Sequence, residues 1–209
     1  MRRHLMYLRY VARHKRFVLE AGRRLGVPLW QLLIHDWTKF LPREWRPYAE
    51  CFYAPDGSSQ YKPSPAFAQA WNFHQKLNPH HWQFWLLTWD DPSKNYQRYA
   101  IQSHGDGYPL SVYDFGADEQ LANEVDDDYK EGTVYRALRN LTDRLNAASP
   151  QALPMPERYV REMVADWVGA GRALGKPDTR GWYEANRRNI VLHPDSRAMV
   201  ERLLAEVAP

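Results

Sequence analysis

His35-Asp36-Trp37-Thr38-Lys39 places a nitrogen ligand, a carboxylate and a cation within five residues. It follows an apolar helical run, Leu29-Trp30-Gln31-Leu32-Leu33-Ile34. Imidazole and carboxylate both bind divalent transition metals. If the helix continues, Lys39 lies on the same face as Asp36, because residues three apart are neighbours there. The pentapeptide therefore reads as part of a metal centre with a cation beside it. Two adjacent ligands do not make a site, so its meaning depends on ligands from other helices.

Three candidate ligands occupy positions where apolar residues are expected. His14 falls on the stripe Leu8, Val11, Val18, Leu25 of the first helix. Asp36 lies four residues after Leu32, and Asp166 shares a helix face with Tyr159, Met163 and Ala170. A buried carboxylate is costly unless it is paired or bound to a metal. Taken singly, His14 reads as a hydrogen-bonded core histidine, and Asp166 could pair with Arg158 or Arg172. Taken together with His35, the three converge on one ion.

A second cluster is Phe73-His74-Gln75-Lys76-Leu77-Asn78-Pro79-His80-His81-Trp82. His74, His80 and His81 lie on either side of an Asn-Pro break, so they can meet from two chain directions. Adjacent residues on a helix point about 100° apart. His80 and His81 need not bind the same ion, and one of them can face substrate instead. Glu162, one turn before Asp166, and Glu44 are candidates to orient ligands from behind.

The elements that must position these groups are helices. The apolar spacing predicts one over 3–25, ended by Gly26-Val27-Pro28, and a second over 28–40. A third opens at Pro42 and runs through Trp45, Tyr48, Ala49 and Phe52. Further helices are expected over 65–77, after Pro79 through Trp82, Trp85 and Leu86, and over 156–174. Two more run through Trp182, Tyr183 and Ile190, and after Pro194. Residues 91–152 change character and read as an inserted, mainly helical subdomain or lid, helical in pattern over 117–145. Its Asp126-Asp127-Asp128 run reads as a solvated stretch. Few segments alternate as strands do, so the expected fold is all-α: one helical domain over 1–209.

Composition narrows the function. Charged residues make up 25% and hydrophobic ones 44% of 209 residues, the balance of a globular protein. A net charge of +3 fits a small anionic substrate and argues against nucleic acid, which needs a concentrated basic stripe. Nine tryptophans and thirteen tyrosines can build a thick core or a flat-walled pocket. The one cysteine, Cys51, excludes an internal disulfide and a thiolate metal cluster, so a reducing cytoplasm is expected. No apolar stretch reaches transmembrane length, and Met1-Arg2-Arg3-His4 does not open a signal peptide.

The ordered set His14, His35-Asp36, His74, His80-His81, Asp166 resembles the HD superfamily of metal-dependent phosphohydrolases, whose pattern is H…HD…D on one helical bundle. The chain also resembles an uncharacterised bacterial and phage family through Leu33-Ile34-His35-Asp36-Trp37-Thr38-Lys39-Phe40, Asn78-Pro79-His80-His81-Trp82 and the segment 155–167. The HD resemblance implies an HD-like bundle holding one or two divalent metals, drawn from Mn, Fe, Zn, Co and Ni. His14, His35, Asp36 and Asp166 would hold the first, and Asp36 with His74, His80 and His81 the second. His74 and the His-His pair are much closer together than in the two-metal cyclic-dinucleotide phosphodiesterases of the superfamily, which leaves the metal count open.

On that resemblance the expected activity is hydrolysis of a phosphoester, a nucleotide or a related small phosphate, by metal-activated water. Asp36 and Lys39 are the expected catalytic pair. Lys39, Arg43, Lys76, Arg158 and Arg187 are the candidates to bind phosphate, and Trp37 and Trp82 to stack on a base. Two other readings stand beside it. Some HD-fold proteins with this ligand set are di-iron oxygenases of the inositol oxygenase type. A helical protein with a closed structural metal is the third.

Overall fold

Helix α1 (Arg2–Arg24) buries Tyr7, Val11, His14, Val18 and Ala21, a stripe with helical spacing into which His14 is set. Leu8, expected on that stripe, is exposed, and Tyr7 takes the inward place. The helix stops where Gly26 adopts φ +74°, a left-handed conformation that glycine accepts at no steric cost. The computed structural model describes residues 1–87, 99–103, 110–114, 119–120, 138, 141 and 151–207.

The architecture is all-α. After α1 come α2 (Leu29–Ile34), a 3-10 turn (Trp37–Phe40), α3 (Pro42–Phe52) and α4 (Pro65–Leu77). A 3-10 turn (Trp82–Trp85) and strand β1 (Leu86–Leu87) follow. Proline opens α3 and α4, where its missing N–H has no intrahelical partner to lose. Later in the chain come α5 (Glu157–Ala173), α6 (Thr179–Asn186) and α7 (Pro194–Val207). Asp178 accepts the Gly181 amide at 2.8 Å at the start of α6. Among the described residues no helix is long and apolar enough to cross a membrane.

Three expectations about element bounds are corrected. The second helix does not run to Phe40: it ends at Ile34, and Asp36 has φ +56° before the 3-10 turn begins. The segment after Pro79 is a 3-10 turn rather than an α-helix, and Leu86 leaves it for β1. Ile190 lies beyond both α6 and the 3-10 turn Arg187–Asn189 that follows it.

The chain divides into two units. The first comprises Met1–Trp85, Met155–Asn186 and Asp195–Pro209. Its longest interface is between α1 and α5. Gly169 lets those helices close up: a Cβ there would stand 2.4 Å from Val18 Cγ2 and 2.9 Å from the Val18 amide nitrogen. Nearer the N-terminus of the same stripe, Tyr7 and Val11 pack with Tyr48, Ala49 and Ala70 from α3 and α4. The buried stripe of α1 thus meets α3–α4 at Tyr7 and Val11 and α5 at Val18.

The second unit comprises Leu86–Pro154 and Arg187–Pro194, and the expected insertion, 91–152, falls inside it. Its β1 pairs antiparallel with β5 (Gln151–Ala152). Strands β2 (Tyr99–Ser103), β3 (Leu110–Asp114) and β4 (Glu119–Gln120) form a small antiparallel sheet in the order β2-β3-β4. This sheet lies where no strands were expected, and Glu119–Gln120 is strand where helix was expected. Leu138 and Leu141 are helical. The rest of the 117–145 segment, including Asp126-Asp127-Asp128, lies outside the described residues.

Candidate metal centre

Five side chains from four separate parts of the chain meet inside the first unit. His14 comes from the middle of α1, His35 and Asp36 from the break after α2, His74 from the last turn of α4, and Asp166 from α5. His80 and His81 join them from the turn after α4. His14, His35, Asp36, His74 and His80 are at most 2% exposed, and Asp166 is 8% exposed. The left-handed backbone at Asp36 is uncommon outside glycine, although aspartate tolerates it better than most residues. It turns the chain between two neighbouring ligands, so both reach the same point.

Three groups of donors are close enough to hold an ion: two share Asp36, and the third joins His35, His80 and Glu162. In the first, His14 Nε2 lies 3.3 Å from Asp36 Oδ2, 3.1 Å from Asp166 Oδ1 and 3.4 Å from His35 Nε2. His35 Nε2 lies 3.4 Å from Asp36 Oδ2 and 3.3 Å from Asp166 Oδ1. In the second, His74 Nε2 and His80 Nε2 lie 3.2 and 3.3 Å from Asp36 Oδ1, and His81 completes the group. Ligands about 2.1 Å from an ion stand about 3.0 Å apart in an octahedron and about 3.4 Å apart in a tetrahedron. The separations between these donors lie within that range.

The donor chemistry fits a metal on two further counts. Asp36 Oδ1, His74 Nε2, His80 Nε2 and His81 Nε2 are buried and have no hydrogen-bond partner among the described residues. They approach one another without hydrogen-bond geometry, as atoms aimed at a common centre do. Behind them, carboxylates hold the other ring nitrogens. Glu162 Oε1 stands 2.9 Å from His35 Nδ1 and 3.4 Å from His80 Nδ1, and Glu44 Oε2 stands 2.9 Å from His74 Nδ1. An imidazole that donates from Nδ1 keeps the Nε2 lone pair for a metal.

The electrostatics call for positive charge. Burial opposes ionisation of Asp36, but His35 and Lys39 outweigh it and hold its carboxyl well below the usual range. Burial also opposes ionisation of Asp166, where His14 and His35 prevail. Burial disfavours the charged form of His35, yet Asp36, Asp166 and Glu162 lift it to about 9. Burial likewise acts against the Glu162 carboxylate, and hydrogen bonds from His35 and His80 bring it down to about 2. His81 differs: burial, with His80 and His74 beside it, pushes it well below its ordinary value, so it is a neutral imidazole.

Lys39 donates to Asp36 Oδ2 from the 3-10 turn. Burial works against its charge and Asp36 prevails, holding the ammonium well above its usual range. With His14, His81 and Asp166 it lines a cleft of about 400 Å³. Tyr10, Tyr48, Phe52, Tyr61, Phe67 and Trp71 line the same cleft, with Tyr10 stacked on His14 and Trp71 edge-on to His81.

The other expected phosphate contacts are not brought to this cleft. The Arg43 guanidinium lies 5.2 Å over the Phe73 ring, and Lys76 Nζ donates to the Gln83 carbonyl at 2.6 Å. Arg158 lies 4.6 Å over Tyr159 and donates to its hydroxyl at 3.1 Å. Arg187 belongs to the second unit. Trp37 is 55% exposed, and neither it nor Trp82 lines the cleft; Trp71 does.

Four supporting residues escaped the sequence reading. Gln31 donates to Glu162 Oε2, and Lys15 to the His35 carbonyl. Thr38 donates to Glu44 Oε2 at 3.1 Å, and Asn78 to Thr38 Oγ1 at 3.0 Å. Gln31 left a signal, a polar residue inside an apolar run one helical turn before His35. Lys15 left none, being next to His14 on a helix face that reads as solvent.

A family model described as a family of unknown function (DUF5662) matches residues 3–101 and 142–206. The chain belongs to that family. The DUF5662 match spans every donor of both sets, together with Lys39, Glu44 and Glu162. No curated protein and no solved structure matches the chain.

Proposed function

We propose that this centre hydrolyses a small phosphoester, breaking a P–O bond with water to give phosphate and an alcohol. The observation that carries the reading is the division of Asp36. One carboxylate oxygen belongs to each donor set, and Lys39 is held on the same carboxylate at the edge of a cleft. The resemblance of the ligand order to the H…HD…D phosphohydrolases supports it.

His14, His35, Asp36 and Asp166 would hold one divalent metal, and Asp36, His74, His80 and His81 a second. Such an ion supplies Lewis acidity and brings a water's pKa toward neutrality. The chain's own groups do the rest. Glu162 and Glu44 fix the ring orientation and tautomer of three histidines. Lys39 neutralises charge on a non-bridging phosphate oxygen as a point cation. The aromatic residues lining the cleft take an apolar or flat moiety, such as a nucleobase, and keep bulk water from that part of the substrate. An open cleft beside the donors favours a working site over a closed structural metal.

The test is a screen of phosphomonoesters and phosphodiesters with protein of measured metal content, under aerobic and anaerobic conditions. Phosphate release that needs metal, is indifferent to oxygen and falls at least about 100-fold in Lys39→Met with metal retained is the expected result. Oxygen consumption coupled to loss of an organic substrate would replace this reading by the di-iron oxygenase one.

A further inference from the structure

Tyr48, on α3, is 5% exposed. Its ring meets Phe67 edge-on at 5.1 Å and His74 edge-on at 6.0 Å, which fixes its plane. Its hydroxyl is buried, and among the described residues no group hydrogen-bonds to it. Buried tyrosines ordinarily find a partner for that hydroxyl, because an unpaired one forfeits its bonds to water. Tyr48 also lines the cleft with Lys39, His81 and Asp166. The residue that carries this unpaired donor is therefore part of the cleft into which the proposed substrate enters.

Lys39 alone leaves recognition incomplete. Its ammonium is a compact charge on a flexible stem and imposes little direction. One of its donors is engaged by Asp36. A rigid phenol lining the same cleft supplies the missing direction, and an O–H donated to an anionic oxygen is among the stronger hydrogen bonds.

Resting on the phosphoester reading, we infer that the Tyr48 hydroxyl and the Lys39 ammonium together receive a non-bridging phosphate oxygen, with Tyr48 the specificity-determining donor. The ligand class is a tetrahedral oxyanion ester. Tyr7 provides an internal control. Its hydroxyl is also buried and unpartnered and its ring lies 6.3 Å from that of Tyr48, yet it does not line the cleft.

The experiment is calorimetric titration of inorganic phosphate into the full chain loaded with Mn²⁺, for wild type, Tyr48→Phe and Tyr7→Phe. The inference expects Tyr48→Phe to bind phosphate about tenfold more weakly. Its metal content should be unchanged and its melting temperature equal or higher, since the change removes an unpaired buried hydroxyl. Tyr7→Phe should bind as wild type does. Equal affinity in wild type and Tyr48→Phe overturns the inference and leaves the phosphoester reading standing. So does an equal loss in Tyr7→Phe, or a loss in Tyr48→Phe accompanied by lost metal and a lower melting temperature. No phosphate binding by the metal-loaded wild type overturns the phosphoester reading itself.

Discussion

Glu162 Oε1 lies 2.9 Å from His35 Nδ1, joining α5 to the turn after α2 across 127 residues of sequence. The same oxygen is 3.4 Å from His80 Nδ1. His35 belongs to the first donor set and His80 to the second, so one carboxylate backs a ligand in each. Glu44 backs only His74 in the second set.

That asymmetry predicts different outcomes for two conservative changes. Glu162→Gln should weaken binding of both metal equivalents by about 10- to 100-fold. Glu44→Gln should weaken one equivalent by a similar factor and spare the other. Competition against a chelator of known affinity measures both, and identical profiles for the two variants would contradict the arrangement.

Asp36 should have the largest effect of any single ligand. Asp36→Ala removes a donor from each set, so metal content measured on protein purified without added metal should fall close to zero. His81→Ala, which touches one set, should keep the equivalent held by His14, His35, Asp36 and Asp166. Unaltered metal content in Asp36→Ala would remove the shared-ligand reading.

Chelated protein should show a specific pH profile. His35 is raised from 6.5 to about 9 in the fold, so its stabilising contribution is complete below pH 6.5 and is lost as the pH rises through 9. Glu162 is lowered from 4.5 to about 2, so its contribution is present above pH 4.5 and is lost as the pH falls toward 2. From these two groups, denaturant unfolding of the chelated chain should lose stability as the pH rises from 6.5 through 9 and again as it falls from 4.5 toward 2. Metal takes the place of those protons, so loading should shift the stable range upward. A chelated protein as stable at pH 9 as at pH 6 would argue against the pairing.

Gly169→Ala tests the helix interface that presents His14 and Asp166. The new methyl would meet the Val18 side chain and backbone, and backbone cannot yield cheaply. Overpacking of this kind costs about 3 kcal/mol, offset by about 1 kcal/mol of better helix propensity. A net loss of about 2 kcal/mol in chemical denaturation, with weaker metal binding, is the expected result.

The sequence revealed faces better than it revealed turns. His14 and Asp166 were legible because regular helices carry them, and a polar residue at an apolar period is conspicuous there. His74, His80 and His81 were legible as a cluster. The left-handed turn at Asp36 was not, because i to i+3 reasoning presumes that the helix continues. Arg43, Lys76 and Arg158 carry the right charge, but sequence does not say where a long side chain points, and each is engaged elsewhere. Tyr48 has an apolar ring at a core position, so only the surroundings of its hydroxyl distinguish it. The strands β2 to β4 are two to five residues long, too short for alternation to stand out.

The two ends of the donor list, His14 and Asp166, lie far apart in the chain, and residues 82–165 form one long excursion between His81 and Asp166. Any ion held by these groups acts as a clasp on that excursion. In the unfolded chain the entropy of such a closure grows only slowly with the number of residues enclosed, by about 0.6 kcal/mol for each doubling. The family match skips residues 102–141, which lie wholly within this stretch of sequence. On that scaling, the entropy the clasp removes from the unfolded chain depends little on how many residues separate His81 from Asp166.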